Sequence, residues 1–272
     1  MNSRLVKILN ILSTNKKIKL TLLAEFLDVS SVTLRKDLDN LENRGIIKRI
    51  HGYATLDGAD DTGKRMAINH SIKRKIAKAA AQIVDEGETI MLESGSCCAL
   101  FAEELALTQK KVTIITNSVF IANFMRRQNI QIILLGGNLQ PESQVLVGPI
   151  TVKCSEVFFS QKFFLGTDGF IPGYGFTGRD LLRAETVLEL AKRAKNVFVL
   201  TEAAKFFQRG PYNLIQFDKL AGVFTDDSIS KEAESDLIKN NIKLHKVPSA
   251  DEKMIWHQYP GQPPVLYKEK EE

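Results

Sequence analysis

The sequence predicts an α/β protein in two parts: a winged helix-turn-helix domain over residues 1–56, then a Rossmann-like, mostly parallel α/β domain over residues 70–248. Three observations carry this. Between Leu20 and Ala54, two runs of apolar residues at helical spacing flank a short polar break and lead into a basic, alternating stretch. Beyond His70, helical runs alternate with short, continuously apolar runs, the texture of a parallel sheet covered on both faces. The positive charge is also unevenly spread. The chain carries +5, residues 1–56 hold ten basic groups against five acids, and the remaining 27 basic residues of 37 cancel the remaining 27 acids of 32.

Each element follows from its own residues. Ser3 is placed to cap a first helix running to about Ser13, with Leu5, Ile8, Leu9 and Leu12 inward. Leu22, Leu23, Phe26 and Leu27 recur at helical spacing in a second helix, and Leu34, Leu38 and Leu41 in a third. Asp28-Val29-Ser30-Ser31 separates these two, and Ser30 or Ser31 can accept a bond from a free backbone N–H where the third begins. Gly45 stops that helix. Ile46–Ile50 then alternates apolar and basic residues before His51-Gly52-Tyr53, the pattern of a hairpin wing. Residues 57–66 are polar, hold two glycines and lack apolar periodicity, which makes 57–69 a linker.

In the second part, helices are predicted over Ser71–Val84, Ala99–Leu107, Val119–Arg126, Leu181–Ala194 and Lys231–Ile238. Strands are predicted over Thr89–Leu92, Val112–Thr116, Gln131–Leu135, Lys162–Leu165, Val197–Thr201, Leu220–Phe224 and Ile242–Val247, while Val145–Glu156 reads as either. Residues 249–272, with the only tryptophan and a charged end, read as a poorly ordered tail.

Composition excludes several classes. Three cysteines, two of them adjacent at 97 and 98, suit neither a disulfide framework nor a zinc site, and no metal or cofactor is expected. The N-terminus lacks signal-peptide character and no stretch approaches membrane-spanning length, so a reducing cytoplasm is the expected setting and a membrane partner is not. The cationic front end suits a double-stranded DNA partner, because neutralising phosphates releases counterions.

The candidate chemistry gathers in two places. At the start of the third helix stand Ser30, Ser31, Thr33, Arg35 and Lys36, residue types that hydrogen-bond base edges and phosphates; Lys48, Arg49 and His51 on the wing would lie along the backbone. In the second part, ligands bind where strands end. Those ends carry Glu93, Gly95, Ser96 and Cys97; Thr116 and Asn117; Gly136 and Gly137; Asp168; Thr177; Glu185; and Lys205. Each motif alone is ordinary loop geometry. Jointly, hydroxyls, carboxylates and a lysine around a glycine-rich rim suit a phosphorylated polyhydroxy compound.

These residues resemble the DeoR family of bacterial transcription regulators from about residue 3 to 247. The family's Val-Ser-x-x-Thr-(Ile/Leu)-Arg-(Arg/Lys)-Asp-Leu stands here as residues 29–38, and Gly45 followed by Arg49-Ile50-His51-Gly52 also matches, although Tyr53 replaces the usual second glycine. The family's Asp-x-Gly-Ser-Thr loop is Glu93-Ser94-Gly95-Ser96-Cys97 here. Thr116-Asn117, Gly136-Gly137 and Gly166–Gly169 match, and Asp-x-x-Lys-Phe is Glu202-Ala203-Ala204-Lys205-Phe206. The resemblance implies a sensor domain related in fold to ribose-5-phosphate isomerase, a phosphorylated sugar or polyol effector, and repression of sugar or polyol genes. Repeated half-sites on duplex DNA would call for a homodimer or homotetramer. Two other functions remain open at this point: a sugar-phosphate isomerase-like enzyme with Glu185 or Asp168 as base beside Lys205, and a constitutive DNA-binding protein whose second domain serves assembly only.

Overall fold

Helix α1 (Ser3–Asn15) buries Leu5, Ile8, Leu9 and Leu12, as their spacing requires. The computed structural model describes residues 3–15, 17–55, 62–249, 254–257 and 265–268; the predicted Ser3 cap lies outside the described side chains. After strand β1 (Lys17–Lys19) comes α2 (Leu20–Leu27), which ends at Asp28 with left-handed φ 51°. Only Leu23 of α2 is fully buried; Leu22 and Phe26 face outward, the latter 68% exposed. Helix α3 (Ser31–Asn43) starts at Ser30, whose Oγ accepts from the Thr33 N–H at 3.1 Å, so Ser30 rather than Ser31 is the cap. It ends at Gly45 (φ 69°). The Gly45 and Ile46 N–H groups donate to the Glu42 and Leu41 carbonyls, a closure whose left-handed residue favours glycine.

The wing follows. Strands β2 (Lys48–Ile50) and β3 (Tyr53–Thr55) pair antiparallel across a two-residue turn, His51-Gly52, with both φ positive, and β1 adds to the other edge of β3. Arg4 forks onto the buried Asp37 carboxylate, which fastens α1 to α3.

The predicted linker is only partly one. Thr62–Ala67 forms helix α4, with Met66 and Ala67 fully buried between α1 and the later helix α6 (Ser96–Leu107). Two adjacent apolar residues at the end of a polar stretch give no visible period, yet both find the core. Asn69, at φ 51°, turns the chain into α5 (His70–Ala81).

The sheet of the second domain is built next: β4 (Thr89–Leu92), α6, β5 (Thr113–Thr116), α7 (Val119–Met125) and β6 (Gln131–Leu134). A hairpin of β7 (Asn138–Gln140) and β8 (Val145–Val147) leads into α8 (Pro149–Ser155), which resolves the ambiguous 145–156 stretch. Then come β9 (Ser160–Leu165), β10 (Gly169–Ile171), β11 (Gly175–Gly178), α9 (Leu181–Ala191) and β12 (Ala194–Leu200). The predicted helix to Ala194 stops at Ala191, because Ala194 already pairs with Ser160. A 3₁₀ turn at Ala203–Phe207, β13 (Tyr212–Gln216), β14 (Leu220–Asp226), α10 (Lys231–Lys239) and β15 (Lys243–Val247) complete the domain. In the expected tail, β16 (Met254–His257) pairs antiparallel with β17 (Val265–Lys268). Among the described residues no helix is long and apolar enough to cross a membrane.

Seven strands form one sheet in the order β15-β14-β12-β9-β4-β5-β6, every pair parallel. Alternate residues serve opposite faces. Ile90, Leu92, Ile114, Phe164 and Phe198 join α5, α6 and α7, whereas Met91, Ile115, Phe163, Leu165 and Val199 join α9 and α10. Burial on both faces is why these strands read as unbroken apolar runs. The first core continues into the winged domain through Met66 and Ala67.

Candidate functional site

On the winged domain, Ser31, Arg35 and Lys36 stand exposed along the first two turns of α3, with Thr33 half-buried beside them. Lys48 and His51 are exposed on the wing. Two predicted contacts have internal duties. The Ser30 hydroxyl is held by the Thr33 N–H and shares a hydrogen bond with the Thr33 hydroxyl. Arg49 donates from its backbone to Glu42 Oε1 at 2.9 Å and from Nε to Oε2 at 2.8 Å, and reaches Asp39 at 2.7 Å. Burial pushes the Glu42 carboxyl up, but the Arg49 hydrogen bonds outweigh it and hold the group below its ordinary value. Arg49 therefore locks the wing to α3, with its charge matched inside the domain.

The far end of α3 is anchored to the second domain. The Arg44 guanidinium donates to Glu103 Oε1 of α6 at 2.6 Å and lies 4.0 Å over the Phe124 ring of α7, while Arg126 donates to the Asn43 carbonyl. Burial acts to raise Glu103, and Arg44, through charge and hydrogen bond, holds it lower.

In the parallel sheet the order of connection reverses between β4 and β9, so the loops leaving these neighbours diverge and open a crevice at their carboxyl ends. A cavity of about 320 Å³ lies there, lined by Glu93, Ser94, Gly95, Ser96 and Cys97 from the first loop and Thr167 and Asp168 from the second. Arg179, Asp180 and Arg183 enter from the start of α9, Glu202, Lys205 and Gln208 from the 3₁₀ turn, and Arg65, Asn69 and Lys73 from the α4–α5 corner.

Charges interleave around this cavity. Arg183 donates to Glu93 Oε1 at 3.2 Å and to Ser94 Oγ at 3.1 Å. Asp168 Oδ2 accepts from the Arg179 N–H, and Asp180 caps α9. Burial lowers the Lys205 ammonium from its ordinary value against the pull of Asp168 and Glu202, and its Nζ donates to Gln208 Oε1 at 3.2 Å. Burial drives the Cys97 thiol up to about 12, so it packs as a neutral group and is a poor nucleophile.

Of the predicted effector residues, Glu93, Gly95, Ser96, Cys97, Asp168 and Lys205 meet in this cavity, and six do not line it. Thr116 Oγ1 accepts from the Ser118 N–H, and Asn117 Nδ2 donates to the Leu146 carbonyl. Gly136 and Gly137 let the strand end pack on α8: a Cβ at Gly137 would fall 1.8 Å from Thr151 Oγ1. Thr177 Oγ1 accepts from the Gly210 N–H, and Glu185 is exposed on α9.

Comparison with known proteins fits both halves. Residues 4–59 match the model of the DeoR-like helix-turn-helix domain, and residues 68–227 that of the DeoR C terminal sensor domain. The chain belongs to the DeoR family. An uncharacterized HTH-type transcriptional regulator, FruR of Bacillus subtilis, is 30% identical over 80% of this chain and 85% of its own length. The HTH-type transcriptional regulator GolR of Listeria innocua is 30% identical over 83% of this chain and 90% of its own, and the lactose phosphotransferase system repressor of Streptococcus mutans 28% over 82% and 91%. Among solved structures, ribose 5-phosphate isomerase A from Methanocaldococcus jannaschii overlaps 51% of this chain and 55% of its own at 21% identity, with a TM-score of 0.38, too loose a fit to carry function across.

As a DeoR family member, the protein is a DNA-binding transcriptional regulator, not an enzyme. What sequence motifs did not reach is the share of the cavity built by Arg65, Asn69 and Lys73, in and beside the stretch taken for a linker. The available signal was two cations and an amide within nine residues, Arg65 to Lys73, running into the amphipathic helix α5.

Proposed function

We propose that this DeoR family member represses carbohydrate genes, grips duplex operator DNA with α3 and the wing, and responds to a phosphorylated sugar or polyol held in the cavity between β4 and β9. The observation that carries the effector reading is the mixed lining at the sheet's reversal point. Five cationic side chains and four carboxylates share one small cavity, with cations to hold a phosphate and carboxylates to accept from sugar hydroxyls. The name of the lactose phosphotransferase system repressor points to the same class of regulated genes. A homodimer or homotetramer would set two recognition helices on repeated half-sites.

Two substitutions test the halves separately. Arg35→Ala removes an exposed guanidinium from the start of the recognition helix and leaves the cap and core intact. Operator affinity should fall by about 1–3 kcal/mol, read by fluorescence anisotropy across a salt series. Unchanged affinity at matched salt would place the DNA face elsewhere. Lys205→Ala removes a cation from a cavity that no residue of α3 lines, so operator binding persists while its response to a panel of sugar and hexitol phosphates is lost. A full response in the variant would take Lys205 out of the site.

A further inference from the structure

One carboxylate ties the polar side of the α4–α5 corner to the 3₁₀ turn after β12. Glu202 Oε2 accepts from Asn69 Nδ2 at 3.0 Å, and Glu202 Oε1 lies 3.6 Å from Lys73 Nζ. Both partners are well buried in the ion pair, with 4% of the Lys73 side chain and 12% of the Glu202 side chain exposed. The same Lys73 ammonium donates to the carbonyls of Arg65 and Ile68, at the end of α4, where the helix leaves its last carbonyls without partners of its own. Lys73 thus joins the exit of α4 to Glu202, and α4 packs directly against α1 of the winged domain.

The cavity wall and one of the links to the DNA-binding domain therefore share the same few residues. Asn69 and Lys73 line the cavity, as does Glu202 between them and Lys205. A doubly charged phosphate entering this end meets the Lys73 ammonium already facing Glu202, and the Lys205 ammonium drawn by both Asp168 and Glu202. It cannot take both cations while Glu202 stays in place, because like charges a few ångströms apart repel strongly where water is scarce.

We propose that Glu202 is a built-in competitor for the phosphate of the effector: while the cavity is empty it staples the α4–α5 corner to the sensor domain, and an incoming phosphate displaces it and frees that corner to reposition the winged domain. This rests on the effector reading above and names how that site is regulated. The differential affinity that any switch requires lies in a single exchange, Lys73 with Glu202 in one state and Lys73 with phosphate in the other.

The test uses the full-length protein, with inorganic phosphate and then ribose 5-phosphate as probes, and Glu202→Gln as the variant. Glutamine keeps the size and the acceptor for Asn69 and loses the charge. Titration calorimetry should show phosphate bound about tenfold more tightly by Glu202→Gln, since a repelling charge has gone. Operator affinity of the variant without ligand should equal that of the parent protein saturated with ligand. A variant that binds phosphate no more tightly, or that keeps the parent's operator affinity and response, overturns the competitor role while leaving the effector site standing. If neither protein binds either probe, the effector reading itself is what fails. Should Glu202→Gln fold poorly, Asn69→Ala cuts one arm of the staple and leaves Glu202 charged. It should shift operator affinity in the same direction with phosphate affinity changed less than threefold, and an unshifted operator affinity would count equally against the staple.

Discussion

Glu103→Ala should destabilise the protein by about 3–5 kcal/mol, the largest effect expected of any single substitution discussed, although Glu103 lies in neither the DNA face nor the cavity. The reason is the company Arg44 keeps. Its guanidinium is 15% exposed and Glu103 is 7% exposed, so neither charge is hydrated as it would be in the unfolded chain. Paired at 2.6 Å the two compensate one another; alone, the remaining cation is stranded against the Phe124 ring. The cost is one of leaving a charge unmatched, and is not a measure of what the pair adds. Replacing both, as Arg44→Met with Glu103→Leu, should therefore recover most of the loss, and the recovery separates stranding from simple loss of a contact. Urea unfolding of the two single variants and the double gives the answer. A double variant as unstable as Glu103→Ala would mean that the pair itself, not its completeness, holds α3 to α6.

How much of this was legible in the residues varies by the range over which each feature is decided. The winged domain is decided locally. A serine cap, an αL residue before it, a glycine closing α3 and a two-residue turn each depend on neighbours within a few positions, and each falls where the residue types demanded. The strands were equally plain because burial on both faces leaves an unbroken apolar signature. The cavity was half legible. The loop from Glu93 to Cys97 and the turn at Asp168 follow strands that are adjacent in the sheet, so their meeting follows from the order of connection alone.

Glu185 illustrates why the remainder was not. It stands two positions after Arg183, which faces the cavity, and two residues carry a side chain about 200° around a helix, hence to solvent. The pairs at 116–117 and 136–137 also follow strands, but those of the far half of the sheet, beyond the reversal point; there their polar atoms and missing side chains serve backbone closure and helix packing. Conversely, Lys73 reaches the cavity only because α5 packs beside α6 and across β14 and β15, a tertiary fact with no local mark. Arg49 shows the same limit in the wing: nothing in its neighbours reveals that Glu42, seven residues earlier, faces it.

Stability should also fall on mild acidification, and His70 sets the window. The imidazole begins α5 immediately after the corner residue Asn69, is 2% exposed, and its Nε2 has no hydrogen-bond partner among the described residues. Burial lowers its pKa from 6.5 to about 4, against the opposing pull of Glu103 and with help from Arg74 and Lys73. Between those two values the unfolded chain carries a proton that the folded chain refuses, so the unfolded state gains as pH falls. The stabilisation is thus complete above about pH 6.5 and is lost progressively towards pH 4, by about 3 kcal/mol in all at 1.36 kcal/mol per unit. Glu103 does not cancel the effect, since Arg44 keeps its carboxyl ionised below the ordinary range and already occupied. Urea midpoints at pH 7 and pH 4.5 for the parent protein and for His70→Phe, which fills similar space without titrating, isolate the contribution. The parent should lose markedly more stability than the variant over that interval. Parallel losses in the two proteins would show that His70 takes up its proton in the folded state as readily as in the unfolded one, and would move the acid sensitivity to the carboxylates.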